Sequence, residues 1–354
     1  MSTAITECDD QAILQEQVRE AVANATPLQI CGGGSKSFYG NPCSGEILDV
    51  SGHSGVIDYD PAELVITLRN GCRLADVEAL LAEQGQMLAF EPPHYSEQAT
   101  IGGAVAAGLA GPGRAFWGGI RDCMLGVKLL DGRGDVLNFG GRVIKNVAGF
   151  DVSRLMVGSM GTLGILLEVS LRVVPRAEAE LTLGFEHHGS ESHIRWINQL
   201  GGQPLPLSAS MWYQGQSLIR LSGSKPGVAS AAARLGGEQA QPPWQTLKEQ
   251  THTFFSKQTP LNRISIPPAT RLSLQQDQLI EWGGAQRWIS GKLDVAHTRE
   301  RLQARQGHLT LFRGRTLHPV FHPLDAVTMV LHRNLKSKFD PAGIFNRDRL
   351  YAGL

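Results

Sequence analysis

Apolar residues at helical spacing alternate with short apolar runs through the first 110 residues, a pattern that predicts both helices and strands. The spacing predicts a first helix after a cap at Asp9 or Asp10, and a second helix that ends near Gln84-Gly85. Apolar runs bounded by turn residues predict strands at 28–31, 47–50, 64–68 and 87–90.

The sequence pattern changes after Pro175. From Arg176 onward the strands and helices are less regular, and Trp282 and Trp288 suggest a second, small sheet. Helical spacing of apolar residues returns over 324–338 and predicts a last helix. We therefore expect a first domain that ends near residue 175.

Runs of glycine, alanine and small hydroxyl residues mark a candidate binding site. Such residues let a backbone approach a ligand closely, and their N–H groups can donate to phosphate oxygens or to the edge of a flavin ring. One run alone is typical of a tight turn as much as of a phosphate-binding loop, but together they favour a large cofactor. The runs are 32–35, 99–103, 145–151 and 158–165.

The first of these runs does not match the common nucleotide fingerprints. A Walker A loop places its lysine directly after a glycine, but Ser35 separates Gly34 from Lys36. A Rossmann fingerprint needs a glycine where Ser37 stands.

Composition excludes several classes of protein. Lys plus Arg and Asp plus Glu both count 33, which argues against a nucleic-acid surface. The five cysteines show no C-x-x-C spacing, so neither a zinc site nor an iron–sulfur cluster is indicated. The polar N-terminus and the lack of an apolar run of about 18 residues predict a cytoplasmic protein that meets a membrane only through partners.

Other candidates for chemistry each have an ordinary structural explanation. His318 and His322 are four residues apart, as in a helical metal pair, but the prolines that follow each of them oppose a continuous helix. Ser159 lacks the glycine that a G-x-S-x-G elbow places two positions earlier. Lys145 suits a catalytic, surface or phosphate-facing position, and Trp117 suits the cofactor border or the core. No catalytic residue and no metal ligand is assigned.

Taken together, the four runs and the segment Asp340-Pro341 to Asn346 resemble the FAD-binding domain of the vanillyl-alcohol oxidase and p-cresol methylhydroxylase (PCMH) family. The resemblance implies an α+β fold: a two-subdomain FAD-binding domain at 1–175, an α+β cap domain at 176–323, and a segment at 324–354 that returns to the FAD domain. Covalent members attach FAD through a histidine in the first loop. Ser35 stands there in this chain, so noncovalent FAD is expected.

The resemblance also implies which residues hold the cofactor. Runs 32–35 and 100–103 would wrap the pyrophosphate with backbone donors, and the later runs would lie along the ribityl, adenine and ring regions. The expected cofactor-binding residues are Gly32, Gly33, Gly34, Ser35, Pro92, Thr100, Ile101, Gly102, Gly103, Gly108, Asn146, Gly149, Asp151, Gly161, Gly164, Ile165 and Asn346.

The activity implied is oxidation of a small 2-hydroxy acid, such as glycolate, to its 2-oxo acid within a hetero-oligomer. The implied partners are a second, catalytic FAD-binding subunit and an iron–sulfur subunit, with Trp212, Trp282 and Trp288 as candidates for docking or for core packing. At two places this chain departs from the family's sequence pattern in a way that bears on catalysis. Relatives carry a cap motif G-H-x-G-D-G-x-x-H, of which only Gly307-His308 is present, and Met160 stands where relatives often have glutamate. The alternative is therefore a non-catalytic, FAD-bearing scaffold.

Overall fold

The computed structural model describes residues 5–141, 151–256, 260–314 and 318–354. The chain is a mixture of helix and sheet, which confirms the α+β class. The helices are α1 (Gln11–Ala23), α2 (Leu74–Glu83), α3 (Ile101–Ala107), α4 (Arg114–Trp117), α5 (Ile120–Cys123), α6 (Val152–Leu155), α7 (Ser190–Gly201), α8 (Lys225–Leu235), α9 (Trp244–Lys248), α10 (Val295–Gln303) and α11 (Ala326–Phe339).

The strands within the described residues group into four sheets. They are β1 (Leu28–Cys31), β2 (Glu46–Asp49), β3 (Val56–Asp60), β4 (Val65–Arg69), β5 (Gln86–Met87), β6 (Met124–Leu130), β7 (Val136–Gly140), β8 (Ile165–Arg172), β9 (Val174–Pro175), β10 (Ala179–Glu186), β11 (Leu207–Tyr213), β12 (Gln216–Gly223), β13 (Glu238–Gln239), β14 (Leu261–Ser265), β15 (Asp277–Glu281), β16 (Gln286–Ser290) and β17 (His308–Arg313).

The first of two compact units comprises Met1–Leu109, Gly119–Pro175 and Pro323–Leu354. Its main sheet is antiparallel, in the order β3-β4-β8-β6-β7, and β1 and β2 form a separate parallel pair. The predicted domain boundaries at 175 and 323 lie at or beside the junctions of this unit. The strand expected over 87–90 is wrong in extent, since β5 covers two residues and Leu88–Phe90 are buried outside any strand.

The C-terminal segment belongs to the first unit and is hydrogen-bonded to β1. The Leu28 N–H donates to the Ile344 carbonyl at 2.7 Å, and the Asn346 N–H donates to the Leu28 carbonyl at 3.0 Å. Ile344 and Phe345 are fully buried in the core that α1 and β1 share. Burial of side chains of this size contributes roughly 1.5–3 kcal/mol each, so this segment fixes the position of β1.

The second unit comprises Ala110–Gly118 and Arg176–His322. Its eight strands form one antiparallel sheet in the order β13-β10-β12-β11-β15-β16-β14-β17, with α7 and α8 packed on one core cluster and α10 on another. The prediction of a small sheet at Trp282 and Trp288 is wrong. Trp288 lies on β16 inside this large sheet, and Trp282 directly follows β15. Periodicity shows that strands exist but not which of them pair.

Residues 110–118 were expected within the first domain but belong to the second unit. The Arg114 guanidinium lies 4.7 Å from the Trp282 ring centroid, and the Trp282 indole donates to a backbone carbonyl of the segment. Trp117 stacks against the Arg220 guanidinium at 4.8 Å. Cation–π contacts of this kind hold the segment, and they give Trp117 a packing partner other than a cofactor.

Candidate functional site

A groove in the first unit begins where β1 ends. It contains about 920 Å³ of empty space, its open mouth included. The expected cofactor residues that line it are Gly32, Gly33, Gly34, Ser35, Thr100, Gly102, Gly103, Gly161, Gly164, Ile165 and Asn346. The fold thus brings together residues more than 300 positions apart in the sequence.

The loop 32–35 needs its glycines because it lies against another backbone. A Cβ atom on Gly33 would lie 1.4 Å from the carbonyl oxygen of Gln98, and a Cβ atom on Gly32 would lie 2.8 Å from Thr100 Oγ1. Gly34 adopts a φ of +67°, which L side chains rarely tolerate. Any larger residue at these positions would push the loop away from the Gln98–Thr100 run.

The same loop presents hydrogen-bond donors to the groove. In the described part of the chain, the N–H groups of loop 32–35 donate to no protein acceptor. The Lys36 ammonium, on a residue 8% exposed, donates to Ser35 Oγ at 3.2 Å. Successive backbone N–H groups beside a cation form an arrangement that binds phosphate oxygens.

The start of α3 differs from this loop, because its donors are already used. Thr100 caps the helix, its Oγ1 accepting from the Gly103 N–H at 3.2 Å. The Ile101 N–H donates to the Cys72 carbonyl, and the Gly102 N–H to the Asn70 carbonyl, both at 2.9 Å. What Gly102 and Gly103 offer a ligand is therefore close approach rather than the donors that we expected from them.

Asn346 joins two walls of the groove. Its Oδ1 accepts from the Ile30 N–H at 2.8 Å, and its Nδ2 donates to the Met160 carbonyl at 2.6 Å. Gly161 adopts a φ of +72°, and a Cβ atom there would lie 2.6 Å from Asn346 Nδ2. Because both polar ends of the Asn346 amide bind the protein itself, this residue positions β1 and the loop at Gly161.

Two cations that the sequence did not single out support these walls, the buried Lys336 and the half-buried Arg349. Lys336 Nζ lies 2.7 Å from Asp340 Oδ2 and donates to the carbonyls of Thr162 and Phe345 at 2.8 and 2.7 Å. Burial lowers the pKa of Lys336, and the Asp340 carboxylate opposes that shift. Arg349 donates to backbone carbonyls of the segment that follows loop 32–35.

Asn70 is a groove residue that sequence reasoning missed. The residue is 3% exposed and lines the groove, yet among the described residues neither Oδ1 nor Nδ2 of its side chain has a hydrogen-bond partner. In the sequence, Asn70-Gly71 after a strand is typical of a turn. The only signal was a polar residue at the end of an apolar strand.

The remaining expected residues lie elsewhere. Pro92 is buried outside the groove lining, and Ile101 is a core residue with no exposed surface. Gly108 ends α3 in the left-handed conformation, and Asp151 caps α6 by accepting from the Arg154 N–H. Outside the described residues lie Lys145, Asn146 and Gly149.

A second cavity adjoins the same loop. It contains about 690 Å³ of empty space and shares Cys31, Thr100 and the glycines of loop 32–35 with the groove. Arg73 and Gln98 add polar groups to its wall. A loop with space on both sides suits a long ligand whose phosphates cross the loop.

The histidines and tryptophans that the sequence singled out in the second unit are all among the described residues. Residues 318–322 are not helical, and His322 Nδ1 accepts from the Leu309 N–H at 3.4 Å. Within the described ranges, no group of three or more His, Cys, Asp or Glu side chains is placed to hold a metal ion. The candidate docking residues Trp212, Trp282 and Trp288 are only 9%, 7% and 4% exposed, so they are core residues.

Among the described residues, no helix is both long and apolar enough to cross a membrane.

Comparison with known proteins places these features in a family. Residues 2–140 match the family model described as an FAD binding domain. The chain is 46% identical over 352 residues to the glycolate oxidase subunit GlcE of Escherichia coli (strain K12), which covers 99% of the chain and 100% of that protein. It is 26% identical over 231 residues to the glycolate oxidase subunit GlcD of Bacillus subtilis (strain 168), which covers 64% of the chain and 47% of that protein.

A solved structure of alkyldihydroxyacetonephosphate synthase shares the fold. Its TM-score is 0.64 at 16% identity, over 94% of this chain and 74% of that chain.

The groove meets the chemical demands of FAD, the cofactor that the family implies. Loop 32–35 offers donors for a pyrophosphate, Ile30, Ile165 and Leu166 offer apolar walls for a flat ring, and Asn70 offers a free amide. Because the groove fits FAD and the chain aligns over nearly its whole length with a glycolate oxidase subunit, the chain belongs to the PCMH-type FAD-binding family, the family in which glycolate oxidase subunits are found.

Proposed function

We propose that the chain is the FAD-binding subunit of a complex that oxidises a small 2-hydroxy acid, glycolate in the first instance, and passes the electrons to a partner subunit. The observation that carries this proposal is the 46% identity to GlcE over 99% of the chain and 100% of the relative. A match over the whole length of both chains includes residues 176–322 of the second unit, which the family model for FAD binding does not reach.

The reaction removes two electrons and two protons, one from the hydroxyl group and one from the carbon that bears it. FAD supplies the two-electron acceptor when bound. The residues of this chain bind and orient it: the N–H groups of loop 32–35 would hold the pyrophosphate, and Asn346 and Lys336 would keep the surrounding walls in place. No residue is assigned as the base that takes the hydroxyl proton.

A second candidate function is a scaffold that carries FAD without turning over substrate. The specific observation in its favour lies at Gly307-His308, where the family's cap motif is incomplete. These residues lead into β17, whose next four side chains, Leu309 to Phe312, are buried in the sheet. These four side chains therefore pack in the core, where the family's motif would present side chains to a substrate.

We also infer the kinds of partner. Two different glycolate oxidase subunits are among the relatives, so further subunits are implied. The cysteines of this chain are free thiols without cluster spacing, which leaves onward electron transfer to a partner with an iron–sulfur cluster. The proposal includes a cytoplasmic complex that reaches the inner face of a membrane only through those partners.

Anaerobic stopped-flow mixing tests which function holds. The FAD-loaded chain is mixed with glycolate or D-lactate, with acetate as a control that has no hydroxyl group and dithionite to show that the flavin is reducible. Rapid bleaching of the flavin by glycolate in the absence of partner subunits would support catalysis by this chain. Bleaching only after the purified partner subunits are added would support the scaffold. A native complex that glycolate does not bleach would contradict both functions.

A further inference from the structure

Asn70 holds its side chain rigidly against the first turn of α3. Its N–H donates to the Leu167 carbonyl at 3.0 Å, and its carbonyl accepts from the Gly102 N–H at 2.9 Å. A Cβ atom added to Gly102 would lie 2.6 Å from Asn70 Cβ and 3.0 Å from Asn70 Cγ, so the two residues are in tight contact. The backbone and the base of the side chain are therefore fixed.

The end of the side chain is buried without partners. Among the described residues, Oδ1 and Nδ2 make no hydrogen bond, although the residue is 97% buried and lines the groove. A buried amide left in this state is unfavourable, and native proteins seldom keep one without a function. The geometry points to a ligand that satisfies both atoms.

We propose that the Asn70 carboxamide binds a ring edge of FAD that presents a hydrogen-bond acceptor beside a donor. This inference rests on FAD as the cofactor, but not on the reaction proposed above. It makes Asn70 a cofactor-binding residue of this chain.

Oδ1 of Asn70 needs a hydrogen-bond donor and Nδ2 needs an acceptor, so only some parts of FAD can satisfy both atoms. A pyrophosphate at neutral pH offers acceptors only, so it would leave Oδ1 without a donor, and loop 32–35 already offers it donors. The pyrimidine ring of the flavin presents a carbonyl next to an N–H, and adenine presents a ring nitrogen next to an amino group. Ala106 and Leu166, also in the lining, give such a flat ring apolar contact.

The test removes the amide without changing the size of the side chain. Apo protein carrying Asn70→Leu is titrated with FAD, and flavin fluorescence reports the Kd. We expect the Kd to rise roughly tenfold or more, since two hydrogen bonds are lost. The melting temperature of the apo variant should equal or exceed that of the wild type, because the unsatisfied amide is gone, and a merely structural role would lower it.

Thr67→Val is the matched control. Thr67 lies on β4, three residues before Asn70, and is 5% exposed, but its Oγ1 is paired with Ser170 Oγ at 2.9 Å and it does not line the groove. We expect this variant to lose apo stability and to keep the wild-type Kd for FAD.

Asn70→Asp separates the two ring edges, because a carboxylate accepts but does not donate. If the flavin edge is bound, the visible bands of the bound FAD shift and the affinity for ADP is unchanged. If the adenine edge is bound, the affinity for ADP falls and the flavin bands stay. Wild-type Kd and spectrum in both Asn70 variants would overturn the proposal and leave the proposed function intact, whereas a wild-type chain that binds no FAD would contradict the cofactor itself.

Discussion

Single residues decide how closely the groove walls approach, and Gly102 and Gly103 do so in different ways. A Cβ atom on Gly102 would lie 2.6 Å from Asn70 Cβ, whereas one on Gly103 would meet nothing nearer than Thr100 Oγ1 at 3.1 Å. We expect Gly103→Val to place its side chain in the groove and abolish FAD binding in a fold that still melts cooperatively. Gly102→Val should lower the melting temperature itself. Equal FAD occupancy in Gly103→Val and wild type would contradict the placement of the cofactor.

The attachment of FAD also depends on single residues. Loop 32–35 contains no histidine, and Ser35 Oγ accepts a hydrogen bond from Lys36. We expect acid precipitation to release the yellow colour into the supernatant. Colour that stays with the pellet after washing in denaturant would show a covalent bond.

His193 in the second unit should make stability depend on pH. It has no exposed surface, and its Nδ1 lies 2.8 Å from Ser217 Oγ. Burial, with His187 nearby, lowers the pKa of His193 to about 3. Below pH about 6.5 the unfolded chain binds a proton that the folded chain does not, so stability falls as the pH falls towards 3, by up to about 1.4 kcal/mol per pH unit.

The variant His193→Asn tests this dependence. The denaturant midpoint, followed by tryptophan fluorescence, should fall less between pH 7 and pH 4.5 than in the wild type. His188→Asn, on an exposed neighbour, is the control and should keep the wild-type slope. An unchanged slope in His193→Asn would show that other groups cause the acid sensitivity.

At the scale of elements, periodicity predicted where helices occur but not which of their side chains are buried. The spacing of Val327, Val330 and Leu331 correctly predicted α11, yet these side chains are 71%, 52% and 56% exposed. The side chain that α11 buries is Lys336, a residue that a hydrophobic pattern assigns to the solvent. Its position follows from the carboxylate of Asp340 one turn later, which only the folded structure shows to be buried.

Lys336 is therefore expected to fasten the C-terminal segment to the groove. Lys336→Met would leave the Asp340 carboxylate, on a residue 1% exposed, without its cation. Removing one partner of a buried pair costs about 3–5 kcal/mol, so the free energy of unfolding should drop by an amount of that order and the affinity for FAD should fall with it. The exposed Lys338→Met is the control. A Lys336→Met protein as stable as that control would contradict the role of the pair.

At the scale of the whole molecule, the sequence predicted boundaries at 175 and 323, because its pattern changes after Pro175 and helical spacing of apolar residues returns from 324. It missed the excursion of 110–118 into the second unit, since stacking of Arg114 on Trp282 joins residues that no local pattern relates. The sequence also showed the glycine runs that line the groove but missed Asn70, whose significance comes from burial rather than from residue type.

The last prediction concerns assembly: we expect this chain to function only within a hetero-oligomer. A reduced flavin needs an electron exit, the cysteines of the chain are free thiols, and the cap motif around His308 is incomplete. The aromatic residues first considered for docking are buried, so they do not supply the interface. Affinity purification of the tagged chain from its native cells at low ionic strength, followed by mass spectrometry, should recover a second flavoprotein and an iron–sulfur protein, while the tag alone recovers neither. Glycolate-dependent dye reduction should appear in the co-purified fraction and be absent from the chain expressed alone. A lone chain with full dehydrogenase activity would overturn both the need for partners and the scaffold alternative.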